Sequence, residues 1–228
     1  MELDVWSQGT FARTIVPVRR LLIAGFTGRD QDAVTAHVEE LKEHGIAGPK
    51  RVPSLFAGVP ARVTTSGSIV VHGDRTSGEA EFVVTRIDGQ VLVGVGSDHT
   101  DRELEAHSII KSKQVCEKPV GSVWWRADDL LDHWDELELR ATAWTPDGEE
   151  TEYQSGSVAA MLSLDDLLEE VENRVGAIDG DVLYSGTLPL LTDDFVCGPR
   201  FRSELIDPVL NRTLTCDYVV EQLPVLDD

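Results

Sequence analysis

Glu79-Ala80-Glu81-Phe82-Val83-Val84-Thr85-Arg86-Ile87, then Asp88-Gly89, then Gln90-Val91-Leu92-Val93-Gly94-Val95-Gly96-Ser97-Asp98, is the stretch whose reading decides the fold. Two β-rich apolar runs joined by Asp-Gly predict a tight hairpin, because such a turn needs positive φ at its centre. Residues two apart on a strand share a face, so Glu79 and Glu81 present their carboxylates side by side. Asp98 follows the second strand, across the hairpin, where it can add a third oxygen. Buried like charges repel, and a divalent cation is the usual remedy. Three carboxylates with open water positions make a hard-cation site, suited to Mg²⁺ or Mn²⁺. A bare Glu-x-Glu on a strand is more often a solvated edge, so the pattern around it has to carry the assignment.

Working outward, residues 20–26 read as a buried strand and 31–44 as an amphipathic helix, with Val34, Val38 and Leu41 on one face and Gly45 at its end. A strand is predicted at 68–71 and a short helix at 126–134. A second helix is predicted at 164–175, with Ser163 as N-cap, Asp166 in the first turn and Gly176 as the stop. Segments 137–144 and 152–153 flank the turn Pro146-Asp147-Gly148, and further strands are expected around 182–184, 201–206 and 213–220. Strands dominate and helices sit at the periphery, so the class is α+β. Repeats, low-complexity tracts and linkers are missing from the pattern, which predicts one unit over 1–228.

Among 228 residues, 41 Asp and Glu face 20 Lys and Arg, a formal charge of -21. Such a surface repels phosphate backbones and anionic headgroups, so neither nucleic acid nor a membrane surface is an expected partner. The longest apolar runs fall short of the roughly 20 residues that span a bilayer, and the start is not a basic leader. A cytoplasmic location is expected. Only five residues are Lys. A carboxylate-rich, lysine-poor surface suits a salt-loaded medium that screens self-repulsion, and halophilic adaptation is expected. Cys116, Cys197 and Cys216 are widely spaced and odd in number, which suggests neither a disulfide framework nor a cysteine zinc site.

Five short motifs occur in order: Glu79-Ala80-Glu81; Gly96-Ser97-Asp98-His99-Thr100-Asp101-Arg102-Glu103; Lys111-Ser112-Lys113 before Pro119; Gln154-Ser155-Gly156-Ser157; and Gly180-Asp181-Val182-Leu183-Tyr184-Ser185-Gly186-Thr187-Leu188-Pro189. Together they resemble the fumarylacetoacetate hydrolase family, specifically a branch with a Gly-Ser-Asp-His-Thr-Asp-Arg signature. The resemblance implies a mixed β-roll or barrel with peripheral helices. Residues 1–60 would supply an N-terminal strand, lid helix and cover, and 61–228 the metal-binding core. It implies Mg²⁺ or Mn²⁺ on Glu79, Glu81 and Asp98, and a homodimer for which Val123-Trp124-Trp125 with Trp134 is either a contact surface or a core patch.

In that family a lysine stabilises the anion, here Lys113 or Lys111, with Lys113 preferred. A His-x-x-Glu pair on a lid helix moves protons or activates water, here His37 and Glu40. Arg102, Thr187 and Gln154 fall where substrate would be oriented. His99 adjoins Asp98 and is placed to support it; His107 is read as packing beneath the loop. Leu188 interrupts the family's Gly-Thr-Pro. The implied activity is hydrolysis of a small anionic 2-oxo acid or acylpyruvate through a metal-stabilised enolate. The alternatives are a lyase, decarboxylating or dehydrating a sugar-derived 2-oxo acid, and a non-catalytic small-ligand binder on the same fold.

Overall fold

The computed structural model describes residues 1–7, 9–36, 49, 51–224 and 226. Glu2–Ser7 (β1) and Thr10–Ile15 (β2) form a hairpin, followed by Leu21–Gly25 (β3), Ser54–Gly58 (β4), Val63–Thr64 (β5), Ser68–Val71 (β6) and Thr76–Ser77 (β7). The predicted central hairpin is Ala80–Ile87 (β8) and Gln90–Ser97 (β9), and Asp88 and Gly89 take the positive φ values of 51° and 79° that the turn requires. Thr100–Asp101 (β10), Lys118–Pro119 (β11) and Val123–Arg126 (β12) come next, then Glu138–Trp144 (β13), Glu150–Ser157 (β14), Val182–Tyr184 (β15), Arg200–Asp207 (β16) and Arg212–Gln222 (β17).

Eight strands form one sheet in the order β2-β1-β12-β9-β8-β15-β3-β4, and five form another in the order β14-β13-β16-β17-β6. Both sheets are open-ended as described, so the roll does not close into a barrel. Period-2 alternation decides what each face meets. Ala80, Phe82 and Val84 of β8, with Val93 and Val95 of β9, join the main core together with Leu139, Phe201, Leu205 and Leu214 of the second sheet. Val83 belongs to a second cluster on the opposite face with Leu21, Ile23, Trp124 and Tyr184. Glu81, in phase with Val83, is directed to that second face, near the end of its strand.

The helix at Leu164–Val175 has the boundaries expected, because both caps are local. Ser163 Oγ accepts from Asp166 N at 3.1 Å, and Gly176 closes the helix with φ 76°. Residues 31–36 are helical as predicted, and the remainder of that element lies outside the described residues. The helix predicted at 126–134 is a strand end followed by two 3₁₀ segments, Ala127–Asp129 and Leu131–Glu136. The correction has a tertiary cause. His133, with non-helical φ of -142°, reaches buried Asp207 (Nε2 to Oδ1, 3.1 Å), and Arg212 contacts both Asp207 (2.8 Å) and Asp129 (4.0 Å). Trp124, Trp125 and Trp134 are core residues and not a surface.

Candidate metal and substrate site

The hairpin register places the three carboxylates. Ala80 pairs with Ser97 and Glu81 with Gly96, so Glu79 and Asp98 extend the two strands past the ladder, where Asp98 N donates to Glu79 O at 3.0 Å. One oxygen each from Glu79, Glu81 and Asp98 lies within 4.8 Å of the others. Glu81 and Asp98 are fully buried and Glu79 half-buried.

Two lysines face them. Lys113, on the short Ile109–Val115 helix, donates from Nζ to Asp98 Oδ2 and to Glu79 Oε2 (3.2 Å). Lys111 is exposed on the same helix, because residues two apart do not share a helical face, so Lys113 is the member of that pair that enters the site. Lys118 is the residue the motif reading missed. It is completely buried in β11, with Nζ 2.9 Å from Asp98 Oδ1 and donating to His99 O. Its place depends on long-range pairing of β11 with β5 and on the bridge of Gly96 with Val120. The local signals were weak: a scarce lysine before a proline.

The electrostatics follow from this arrangement. Burial raises the pKa of Asp98, but Lys113 and Lys118 outweigh it and hold the group at about 2. Burial also acts against ionised Glu79, yet Lys113 and Arg102 bring its pKa below the ordinary value. Glu81 is the exception: burial, then Asp98, drive its pKa well up, while the Gly186 N–H (2.8 Å to Oε2) offsets only part of the effect. A buried carboxylate that two like charges push toward protonation is a group a divalent cation would keep ionised. Hard oxygen donors within one ion's reach complete the fit to Mg²⁺ or Mn²⁺.

The expected substrate contacts are held by protein partners. Arg102 Nε donates to Ser77 Oγ (2.7 Å), and Nη1 donates to Glu79 Oε1 (3.0 Å) and Glu105 Oε2 (2.8 Å), so this arginine holds the Glu79 carboxylate in place. Gln154 Oε1 accepts from Ala80 N (2.9 Å), and its amide donates to Thr187 Oγ1 (2.7 Å) and Leu188 O. Thr187 Oγ1 itself donates to Ala80 O (2.7 Å). Gln154 and Thr187 therefore clamp the backbone between Glu79 and Glu81. His99 is buried between Tyr218 OH (2.9 Å) and Thr76 Oγ1 (3.0 Å), and burial followed by Lys118 lowers its pKa to about 3, so it stays neutral. His107 is exposed, so the reading that it packs beneath the loop is corrected. His37 and Glu40 lie outside the described residues.

Beside the acids is a cavity of about 680 Å³ whose wall includes Glu79, Glu81, Lys113 and Thr187. Its remaining lining is largely apolar.

With this geometry in place, comparison with known proteins defines the lineage. Residues 24–218 match the family described as a protein of unknown function, DUF2848. The chain belongs to the DUF2848 family. No curated protein matches it in sequence. Among solved structures, this DUF2848 chain is similar to 2-keto-3-deoxy-D-arabinonate dehydratase complexed with magnesium and 2,5-dioxopentanoate, at 18% identity over 96% of this chain and 79% of that one, with TM-score 0.62. The apo form of that dehydratase gives 18% identity, 91% and 74% coverage, and TM-score 0.65. A protein called Cg1458 gives 17%, 90%, 77% and 0.65. At these identities the likeness is one of fold, and the fold is the fumarylacetoacetate-hydrolase-like α+β architecture expected.

Proposed function

We propose that this DUF2848 protein is a divalent-metal-dependent enzyme of the fumarylacetoacetate hydrolase superfamily that acts on a small anionic 2-oxo acid, as a lyase. Glu79, Glu81 and Asp98 would hold Mg²⁺ or Mn²⁺. The observation that carries the reading is the convergence of the three carboxylates within 4.8 Å, with Glu79 and Glu81 at the wall of a cavity that Lys113 also lines. A structural neighbour complexed with magnesium and 2,5-dioxopentanoate supports it.

Held by Glu79, Glu81 and Asp98, the ion would supply Lewis-acid stabilisation of negative charge developing on the substrate. The chain's residues do the rest. Lys113 brings an ammonium to the anionic end of the substrate, and Lys118 keeps Asp98 ionised from the buried side. Arg102, through Nη1, holds Glu79 against rotation, while Gln154 and Thr187 keep Ala80 fixed between the two glutamates.

The dehydratase among the neighbours supports the lyase reading. Hydrolysis is the second reading; the family resemblance gives it His37 and Glu40 as a water-activating pair, and both lie outside the described residues. The assembly we propose is a homodimer.

Incubation of 2-oxo acids and their acyl derivatives with Mg²⁺, following pyruvate, CO₂ and substrate loss together, separates the readings by product. Turnover that survives both a chelator and Glu81→Gln would sink the metal reading.

A further inference from the structure

Ser54 opens β4 and pairs with Gly25, the last residue of β3. Its side chain is buried, at 6% residue exposure, yet Oγ has no hydrogen-bond partner among the described residues. Buried hydroxyls without partners are uncommon and costly, by about 1–3 kcal/mol. This one lines the same cavity as Glu81 and Lys113. The residue beside it is glycine, and a Cβ at Gly25 would stand 2.9 Å from Ser54 Oγ. A side chain at position 25 would therefore crowd the hydroxyl, and glycine leaves it uncrowded.

The strand order gives the spacing between Glu81 and Ser54, both of which line the cavity. Glu81 lies on β8 and Ser54 on β4, three places apart in the run β8-β15-β3-β4. At about 4.8 Å per strand, Ser54 stands on the order of 14 Å from Glu81 across the sheet. Apart from Thr27 and Glu105, the rest of the wall is largely apolar, with Val34, Phe56, Ile109, Met161, Leu188 and Pro189 all contributing. A metal contact of about 2 Å and a closing hydrogen bond of about 2.8 Å take up part of that span, so a substrate anchored at the acids and touching Ser54 must itself bridge on the order of 10 Å. An extended chain advances about 1.2 Å per bond, so roughly eight bonds are needed.

Resting on the metal and oxo-acid reading above, we propose that Ser54 is a specificity-determining residue: the cavity takes a 2-oxo acid with an extended apolar chain, and the Ser54 hydroxyl binds one uncharged polar group near its far end. Five-carbon oxo acids are too short to reach it. The apolar wall rewards each buried methylene, and the hydroxyl rewards a hydrogen-bonding group at one distance only.

Titration calorimetry with Mg²⁺ present tests this with straight-chain 2-oxo acids from pyruvate to 2-oxooctanoate, plus 5-hydroxy-2-oxopentanoate and 8-hydroxy-2-oxooctanoate. Affinity should rise about threefold to fourfold per methylene. The 8-hydroxyl should add roughly fivefold to tenfold over 2-oxooctanoate, and the 5-hydroxyl should add nothing. Ser54→Ala should erase the 8-hydroxyl gain and leave pyruvate unchanged. Gly25→Ala, which sets a methyl group against Ser54 Oγ, should weaken the eight-carbon ligands alone. If pyruvate binds but affinity does not grow along the series in the wild-type protein, the inference is wrong while the metal reading stands. A gain from the 8-hydroxyl that persists in Ser54→Ala also overturns it. If neither pyruvate nor any homologue binds with Mg²⁺, the metal reading fails and this inference falls with it.

Discussion

Glu81 is fully buried beside Asp98 and Glu79, and burial followed by those like charges raises its pKa well above the usual carboxylate range. A raised folded-state pKa means that the folded form favours the proton. Stability from this group is full below its unfolded pKa and is lost as pH rises through the folded value. In metal-free protein at neutral pH, Glu81→Gln should therefore raise Tm by a few degrees, the response to about 1 kcal/mol in a chain of this size. The same variant should lose the Tm increase that Mg²⁺ gives the wild type. Melts with and without Mg²⁺ between pH 5 and 8 check both halves, and a full Mg²⁺ response in Glu81→Gln would contradict the site. Asp98 has the opposite sign: its contribution is present above its unfolded pKa and disappears as pH falls toward about 2. Lys113→Met strands Asp98 and Glu79 with one counter-charge fewer, so metal-free protein should lose about 3–5 kcal/mol, with Mg²⁺ restoring much of it. Denaturant titration with and without the ion reads that difference. The three acids were legible in the sequence because a period-2 strand and an Asp-Gly turn bring them together locally and the ordered motifs around them single them out as a set. Lys118 was not, since only the remote pairing of β11 with β5 carries it to Asp98.

Among elements, those with local punctuation were readable and those set by distant contacts were not. Ser163 and Gly176 bracket their helix by short-range capping, whereas residues 126–134 keep a helical spacing of apolar positions that the Asp207–His133 and Arg212–Asp129 contacts override. The β1–β2 hairpin also escaped the pattern, because β2 is almost wholly exposed and carries no alternation. Gln154 shows how one element positions another. From β14 it reaches across to Ala80 N on β8 and to Thr187 and Leu188 after β15. Its motif was visible in the sequence, but its role as a clamp between sheets was not. Gln154→Leu leaves the Ala80 N–H and the Leu188 carbonyl buried without partners, at a cost of about 2–4 kcal/mol. It should also weaken Mg²⁺ binding roughly tenfold, because Ala80 sits between Glu79 and Glu81. Calorimetry below the melting transition separates the two effects, and unchanged ion affinity would show that the clamp serves folding alone.

At the scale of the whole molecule, the two open sheets enclose a core that absorbs Trp124, Trp125 and Trp134, which removes the surface suggested by those tryptophans for a dimer. No helix among the described residues is long and apolar enough to cross a membrane. What remains on the outside is dominated by acid, since the chain carries 41 acidic residues against 20 basic ones and, among the described residues, buries only a few of either. Salt acts on this surface in two opposing ways. It weakens exposed pairs such as Arg13–Glu2 and Arg200–Asp217, but pairs of that kind contribute only about 0–1 kcal/mol each. It also screens the repulsion among the excess carboxylates, a collective term that grows with net charge. With a formal charge of -21 the second effect should win. Tm should therefore climb by several degrees as KCl rises from about 0.1 M to 1 M, while the screening length falls from about 10 Å to 3 Å. NaCl should give nearly the same curve, since screening depends on ionic strength and not on the ion. The buried Lys113, Lys118 and Asp98 group is largely shielded from salt, so the response should persist in Glu81→Gln. A Tm that is flat or falls over this range would mean that the acidic surface is not an adaptation to salt.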